Sequence, residues 1–385
     1  MRFRLTSLAA ALAVLAPFAA QAEGPARPPI FFAQVAALEG PAADLGLGMK
    51  AGIEAAFAEA NARGGVNGHW LMLEGIDDGY EPDKSIAGVQ KVIDTERYIA
   101  LIGPVGTPTT KVTQPLASEA HLPFIGPFTG AGFLRDATHG NIFNVRATYD
   151  AETEEWMKYL VDQQGLTRIA MLYQDDAFGY VGLEGVQKAL TRRGMELIAE
   201  GTYERNTTEV DEALATIKAS NPEAVVMVGA YGPCAAFIRK AREGGLEATY
   251  VNISFVGSKP LARDLGEWGE GVIVSQVVPF PLNSTIQAVA DYQSAIITAG
   301  MQDRIGFISL EGYLVGRLAI EALDRAGPNP TRETYLHALN ELRTVRLGGL
   351  DLVFGEGDNQ GLDDVFLTIL DAEGRFQYLT PAGSM

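Results

Sequence analysis

The sequence predicts an α/β chain folded as two lobes, each a parallel sheet flanked by helices. Three observations carry that expectation. From Ile30 onward, short apolar runs fit for buried strands alternate with longer stretches of helical periodicity, an order that argues for parallel strands and right-handed crossovers. The alternation begins afresh at Ile169. A mature chain of roughly 360 residues also exceeds what one hydrophobic core supports, so two domains are the default.

At the start, Arg2 and Arg4 precede an apolar run from Leu5 to Ala20, and Ala20-Gln21-Ala22 forms a small-x-small cleavage site. This is the pattern of an export signal over residues 1–22, too short and too alanine-rich for a stable membrane span. The expectation is a soluble, exported protein cleaved after Ala22. The sole cysteine, Cys234, lies far from that site, which excludes a lipid-anchored cysteine at the new terminus and any internal disulfide. Stability must then come from packed cores. The formal charge is −18, and loss of residues 1–22, which hold two arginines and no acid, makes it −20. Such a surface repels nucleic acid and anionic headgroups, so no nucleic-acid partner is expected.

Ile30 to Ala36 reads as the first strand, and Leu45 to Arg63 as a long helix with Met49, Ile53, Ala56 and Phe57 on one face, stopped by Gly64-Gly65. Trp70 to Leu73 and Ser85 to Ile93 supply the next strand and helix. The segment from Ile99 to Asp136 then repeats one half-turn of a parallel sheet. Ile99 to Ile102 is a short apolar strand, and Thr107 and Pro108 read as N-cap and first residue of a helix ending near His121. Pro123 to Gly126 is a second strand, breaking into the small-residue loop Pro127-Phe128-Thr129-Gly130-Ala131-Gly132. Two strand ends therefore present hydroxyls and free N–H groups side by side at the carboxyl edge of the sheet, where open α/β folds bind ligands.

Ile142 to Val145 and a helix from Ala151 to Gln164 close the first cycle. The second runs through strands at Ile169–Tyr173, Leu197–Tyr203, Ala224–Val228, Tyr250–Ile253 and Val272–Val278, with helices at Gly182–Arg193, Val210–Ser220 and Pro233–Glu243 between the first four. Helices at Ile286–Ala299, Ser309–Ala326 and Thr331–Leu342 follow, and short strands at Leu350–Phe354, Phe366–Asp371 and Phe376–Leu379 give a hairpin-like ending. Past three strand ends of the second cycle stand Phe178, Tyr231 and Phe255. Rings at equivalent positions suit the apolar wall of a concave site.

The pair Leu101-Ile-Gly-Pro-Val-Gly-Thr-Pro-Thr-Thr110 and Pro123-Phe-Ile-Gly-Pro-Phe-Thr-Gly130 resembles the periplasmic leucine/isoleucine/valine-binding proteins, the type I solute-binding proteins of ABC importers. The likeness includes Leu38-Glu-Gly-Pro41, Gly64-Gly65-Val66-Asn67-Gly68, Asp77-Asp78 and Gly229-Ala230-Tyr231, in the same order and spacing. It implies a three-strand hinge crossing at Arg146–Tyr149, Gln276–Pro281 and Leu347–Leu350, with lobes of residues 28–147 plus 277–348 and 148–276 plus 349–385. Hinge closure would trap a small molecule, and a membrane permease would receive it from a monomeric binding protein. By the same resemblance Thr107, Thr129 and Gly130 hold the ligand's carboxylate, Phe178 and Tyr231 close over it, and Leu45 lines the first lobe. Phe128 and Phe255 would help to enclose it. Ser254 stands where amino-acid-binding members place an acid against the ligand's ammonium. Either another acid such as Glu311 or Asp176 substitutes, or the ligand lacks an ammonium. Amino acids, amides and small carboxylates with an apolar or aromatic body thus stay open, as does a role as the ligand-sensing subunit of a signalling system.

An α/β enzyme is the weaker reading. The chain has no His-Glu-x-x-His, Cys-x-x-Cys, phosphate loop or Gly-x-Ser-x-Gly elbow, so no metal, cofactor or catalytic residue is expected. Gly46, Gly48 and Gly52 are spaced one residue too wide for a dinucleotide fingerprint and lie inside a helix. His69, His121, His139 and His337 are isolated, and Asp77-Asp78 and Asp175-Asp176 read as turn formers or helix caps at strand ends.

Overall fold

A computed structural model describes residues 25–136 and 138–379, so the export signal expected at residues 1–22 lies outside the described residues. The first sheet holds β1 (Arg27–Ala36), β2 (His69–Asp77), β3 (Tyr98–Ile102), β4 (Phe124–Ile125) and β5 (Ile142–Phe143). All pair parallel, in the order β2-β1-β3-β4-β5. In the second sheet β6 (Ile169–Gln174), β7 (Ala199–Tyr203), β8 (Ala224–Val228), β9 (Thr249–Asn252) and β10 (Ile273–Gln276) repeat that order as β7-β6-β8-β9-β10. A separate hairpin pairs β11 (Thr344–Arg346) with β12 (Asp351–Val353), and β13 (Phe366–Leu370) and β14 (Phe376–Tyr378) extend the second sheet antiparallel beyond β10.

Eleven α-helices connect these strands among the described residues. They are α1 (Ala43–Ala62), α2 (Pro82–Asp94), α3 (Thr107–Glu119), α4 (Tyr149–Met157), α5 (Ala177–Thr191), α6 (Asp211–Ala219), α7 (Tyr231–Glu243), α8 (Ser258–Leu265), α9 (Gln287–Thr298), α10 (Phe307–Ala326) and α11 (Arg332–Asn340). The glycines weighed against a dinucleotide fingerprint serve packing instead. A Cβ on Gly52 would lie 2.0 Å from the Ser309 carbonyl oxygen, and one on Gly312 2.3 Å from that of Met49, so α1 and α10 touch backbone to backbone.

Four local expectations change. The second strand runs from His69 to Asp77 rather than Trp70 to Leu73, because it is an edge strand whose residues are mostly half-exposed, and it lacks the continuous apolar run of a buried strand. Helix α8 falls in a stretch where no helix is expected. Thr107 is not the N-cap: Gly106, at φ +104°, takes that place, and Thr107 opens α3. Glycine is required there, since a Cβ would sit 2.2 Å from the Tyr80 ring. The helix expected to end at Gln164 is α-helical to Met157 and then winds as a π-helix over Lys158–Gln163.

Candidate functional site

Every candidate residue stands at the carboxyl end of a strand. In each sheet the strand order reverses once, between β1 and β3 and between β6 and β8, and α/β sheets bind ligands at such switch points. Leu45 and Thr107 follow β1 and β3, while Phe178 and Tyr231 follow β6 and β8. Phe128, Thr129 and Gly130 follow β4, and Ser254 and Phe255 follow β9. Both halves thus aim their switch points at one interface.

Freed from capping, the Thr107 hydroxyl meets that of Thr129 at 2.7 Å, and both side chains are buried. Thr129 Oγ1 also accepts the Ala131 N–H at 3.2 Å, and Arg135 Nη1 donates to the Thr129 and Ala131 carbonyls at 3.0 and 2.9 Å. Gly130 sits against Tyr149, where an added Cβ would fall 2.7 Å from the Tyr149 backbone nitrogen. Gly130→Ala is therefore expected to lower stability by about 1–3 kcal/mol, the usual cost of overpacking, read as a shifted urea midpoint. The Tyr149 hydroxyl is buried with no partner in hydrogen-bonding geometry among the described residues, and burial raises its phenol, opposed by the Arg146 charge and by the nearby Thr129 side chain.

Four rings form the apolar wall. Phe255 lies with its ring centroid 4.6 Å from Phe178, 5.4 Å from Phe128 and 6.0 Å from Tyr80, and Tyr149 adds a contact to Phe178 at 5.6 Å. Tyr80 and Phe128 come from the first sheet's loops, Phe178 and Phe255 from the second's. Tyr231 makes other contacts. Its hydroxyl accepts the Asp44 N–H at 3.4 Å, beside Leu45, and its ring lies 5.8 Å from the Arg263 guanidinium. Leu45 packs toward Gly257, the residue that caps α8.

Behind the wall lies a buried charge cluster. Arg146 Nε lies 3.0 Å from Glu311 Oε1, and Nη2 donates to Glu311 Oε2 at 3.2 Å and to Ser254 Oγ at 2.9 Å. The guanidinium also faces the Phe128 ring at 4.3 Å. Ser254 in turn donates its N–H and its hydroxyl to Glu152, each at 2.8 Å, and Ser275 donates to the same carboxylate. Burial raises both glutamates above the ordinary carboxylate range, and Arg146 opposes that rise. Neither acid considered as an ammonium partner is free: Glu311 is paired with Arg146, and Asp176 accepts the Phe178 N–H and pairs with Arg205 at 2.9 Å. Arg146 Nη1 is buried with no partner among the described residues.

Arg146, Tyr149 and Glu152 escaped the sequence reading as site residues. An arginine directly after the apolar strand Ile142–Val145 is the signal that could have found Arg146 as the partner of Glu311, which lies inside the apolar stretch Ile308-Ser-Leu-Glu-Gly-Tyr-Leu-Val315.

Polar latches flank the wall. Arg205 joins Glu81 at 2.8 Å, Asn206 donates to the Gly79 carbonyl and to Glu81, and on the other side Asp44 pairs with Arg263 at 2.7 Å and Arg304 at 3.0 Å. A small space beside Phe128, Arg146, Ser254 and Glu311 measures about 10 Å³. Asp77 accepts three backbone N–H groups and Asp78 the Tyr80 N–H and the Ser85 hydroxyl, so both hold the turn after β2. Among the described residues no three His, Cys, Asp or Glu side chains gather as a metal site, and no helix is long and apolar enough to cross a membrane.

The periplasmic binding protein family model matches residues 29–375. Among solved structures, the chain is similar to a possible leucine/isoleucine/valine-binding protein from Rhodopirellula baltica SH 1, at 34% identity and a TM-score of 0.87 over 94% of this chain and 98% of that one. A substrate-binding periplasmic protein from Ralstonia solanacearum is similar at 29% identity and a TM-score of 0.85, over 91% of this chain and all of that one. The Leu/Ile/Val-binding protein of Citrobacter freundii is 24% identical over 314 residues, 81% of this chain and 84% of its own. With two sheets of the same strand order meeting at their switch points, the chain belongs to the Leu/Ile/Val-binding family of type I periplasmic binding proteins, whose members bind solutes.

Proposed function

We propose that the protein is the exported, periplasmic solute receptor of an ABC importer, and that it captures a small carboxylate with an apolar or aromatic body. Lobes of residues 28–147 plus 277–348 and 148–276 plus 349–385 would close on the guest about the three crossings, and a membrane permease would then receive it. One observation carries the ligand class. Each carboxylate at the site, Glu152, Glu311 and Asp176, is already engaged by the chain's own donors, whereas Arg146 Nη1 and the Tyr149 hydroxyl are not. An ammonium brought here would find no free acid, and leaving a buried charge unpaired costs several kcal/mol, roughly.

In this reading Thr107, Thr129 and Gly130 hold the polar end, with Ser254 beside Arg146. Phe128, Phe178, Tyr231, Phe255 and Leu45 enclose the rest. Calorimetric titration of the mature protein against amino acids, amides and aromatic acids tests it: the acids should bind, and tight binding of leucine alone would contradict it. Thr107→Ala should weaken binding of a charged ligand by about 1.5–3 kcal/mol, the worth of a hydrogen bond to a charged group. An unchanged dissociation constant would remove Thr107 from the site.

A further inference from the structure

Resting on the hinged closure proposed above, we infer that two ionic latches, Arg205 to Glu81 and Arg263 to Asp44, hold the halves shut and position the two rings that close the site. In both, the cation comes from the second sheet's loops and helices and the carboxylate from the first's. On one flank Arg205 and Asn206 follow β7. Arg205 Nη2 donates to Glu81 Oε2 at 2.8 Å, and Asn206 Nδ2 donates to Glu81 Oε1 at 2.7 Å and to the Gly79 carbonyl at 3.0 Å. On the other flank Arg263 Nη1, from α8, donates to Asp44 Oδ2 at 2.7 Å. Lys259, one turn earlier on α8, has no carboxylate partner among the described residues and donates to the Asp303 and Ile305 carbonyls ahead of α10.

Each latch also holds one of the two rings expected to close over a guest. Arg205 Nη1 donates to Asp176 Oδ2 at 2.9 Å, and Asp176 Oδ1 accepts the Phe178 N–H at 2.9 Å. One guanidinium therefore spans the carboxylate that fixes Phe178 and the carboxylate across the gap. Arg263 lies 5.8 Å from the Tyr231 ring, and the hydroxyl of that tyrosine accepts the N–H of the same Asp44 at 3.4 Å. When the halves part, Arg205 keeps Asp176 but loses Glu81, and Tyr231 loses Asp44, so both rings are fully set only in the closed form. The side chains of Arg205 and Glu81 are 22% and 39% exposed, and those of Arg263 and Asp44 58% and 25%, so salt reaches both pairs, unlike the buried pair of Arg146 and Glu311. Pairs this exposed are weak singly, and it is their action on both flanks together that holds the halves.

Small-angle X-ray scattering of the full mature protein, with no ligand added, makes the test at about 0.01 M and about 1 M sodium chloride, between which the screening length falls from about 30 Å to about 3 Å. The wild type should be compact at low salt and shift to a larger radius of gyration at high salt. Glu81→Gln leaves Arg205 on Asp176 and removes only the crossing charge, and Arg263→Gln removes the crossing charge of the other flank. Each should lower the ratio of closed to open form at low salt about twofold to fivefold, the worth of an exposed pair. Together they should remove most of the salt response. Urea midpoints should stay near that of the wild type, whereas a residue that served only the core would move the midpoint and not the radius. Phe255→Ala, which cuts the ring wall instead, should open the chain at both salt levels. A wild type already open at low salt would overturn the latches. If Phe255→Ala opens the chain while neither salt nor the latch variants do, the latches fall and the hinge stands. If nothing changes the radius, the closure reading falls and the latches with it.

Discussion

Arg146→Met is expected to destabilise the folded chain by about 3–5 kcal/mol, because it leaves the charge of Glu311 buried and unpaired. The pair is almost fully enclosed, with side chains 1% and 3% exposed, so water cannot replace the lost partner. Glu152 also leans on the Arg146 charge, less strongly than Glu311 does, and would keep its hydrogen bonds from Ser254 and Ser275. Removing both members as Arg146→Met with Glu311→Leu should recover most of the loss, since an apolar pair of similar volume needs no desolvated charge. The loss should also depend on pH. Burial raises the Glu311 carboxyl above its ordinary value, so the folded state holds that proton more tightly than the unfolded chain does. Stability then falls as pH rises from the ordinary carboxylate value through the raised one. Without Arg146 the raised value moves higher, so urea unfolding should show a larger penalty at pH 8 than at pH 5. A loss under about 1 kcal/mol, or one equal at both pH values, would mean that the ion pair does not govern stability here.

The parts of the fold that were legible share one property: their burial is written in neighbouring residues. Strands such as Ile99–Ile102 and Ala224–Val228 are buried on both faces, so they read as unbroken apolar runs. The edge strand β2 buries only His69 and Leu71, so its second half carries no apolar run, and α8 begins Ser258-Lys259-Pro260 after a glycine, like a loop. The candidate site divides the same way. Hydroxyls and rings just past strand ends, from Thr107 to Phe255, could be found by position alone. Arg146 and Glu311 are 165 residues apart and Arg205 and Glu81 are 124 apart, and no local pattern records which buried arginine answers which acid. The family resemblance assigns an acid to position 254. In space Ser254 donates instead to Glu152 of α4, so no carboxylate is left free at that position.

Phe255→Ala should weaken carboxylate binding about tenfold to a hundredfold, because its ring touches rings from both halves. A fully buried phenylalanine truncated to alanine costs about 3–5 kcal/mol when the whole loss falls on folding. Here two of the three ring contacts, to Tyr80 and Phe128, join one half to the other, and aromatic pairs contribute about 0.5–1.5 kcal/mol each. That share, roughly 1–3 kcal/mol, is lost from closure of the halves rather than from either core. Phe32→Ala provides the contrast. Phe32 is equally buried but packs on Phe57 at 5.0 Å and Tyr335 at 5.9 Å within the first half. Its removal should lower the melting temperature as much or more while leaving the dissociation constant unchanged. If Phe255→Ala and Phe32→Ala shift stability alike and neither alters affinity, the rings between the halves are packing only, and the gap they frame is not where a ligand is held.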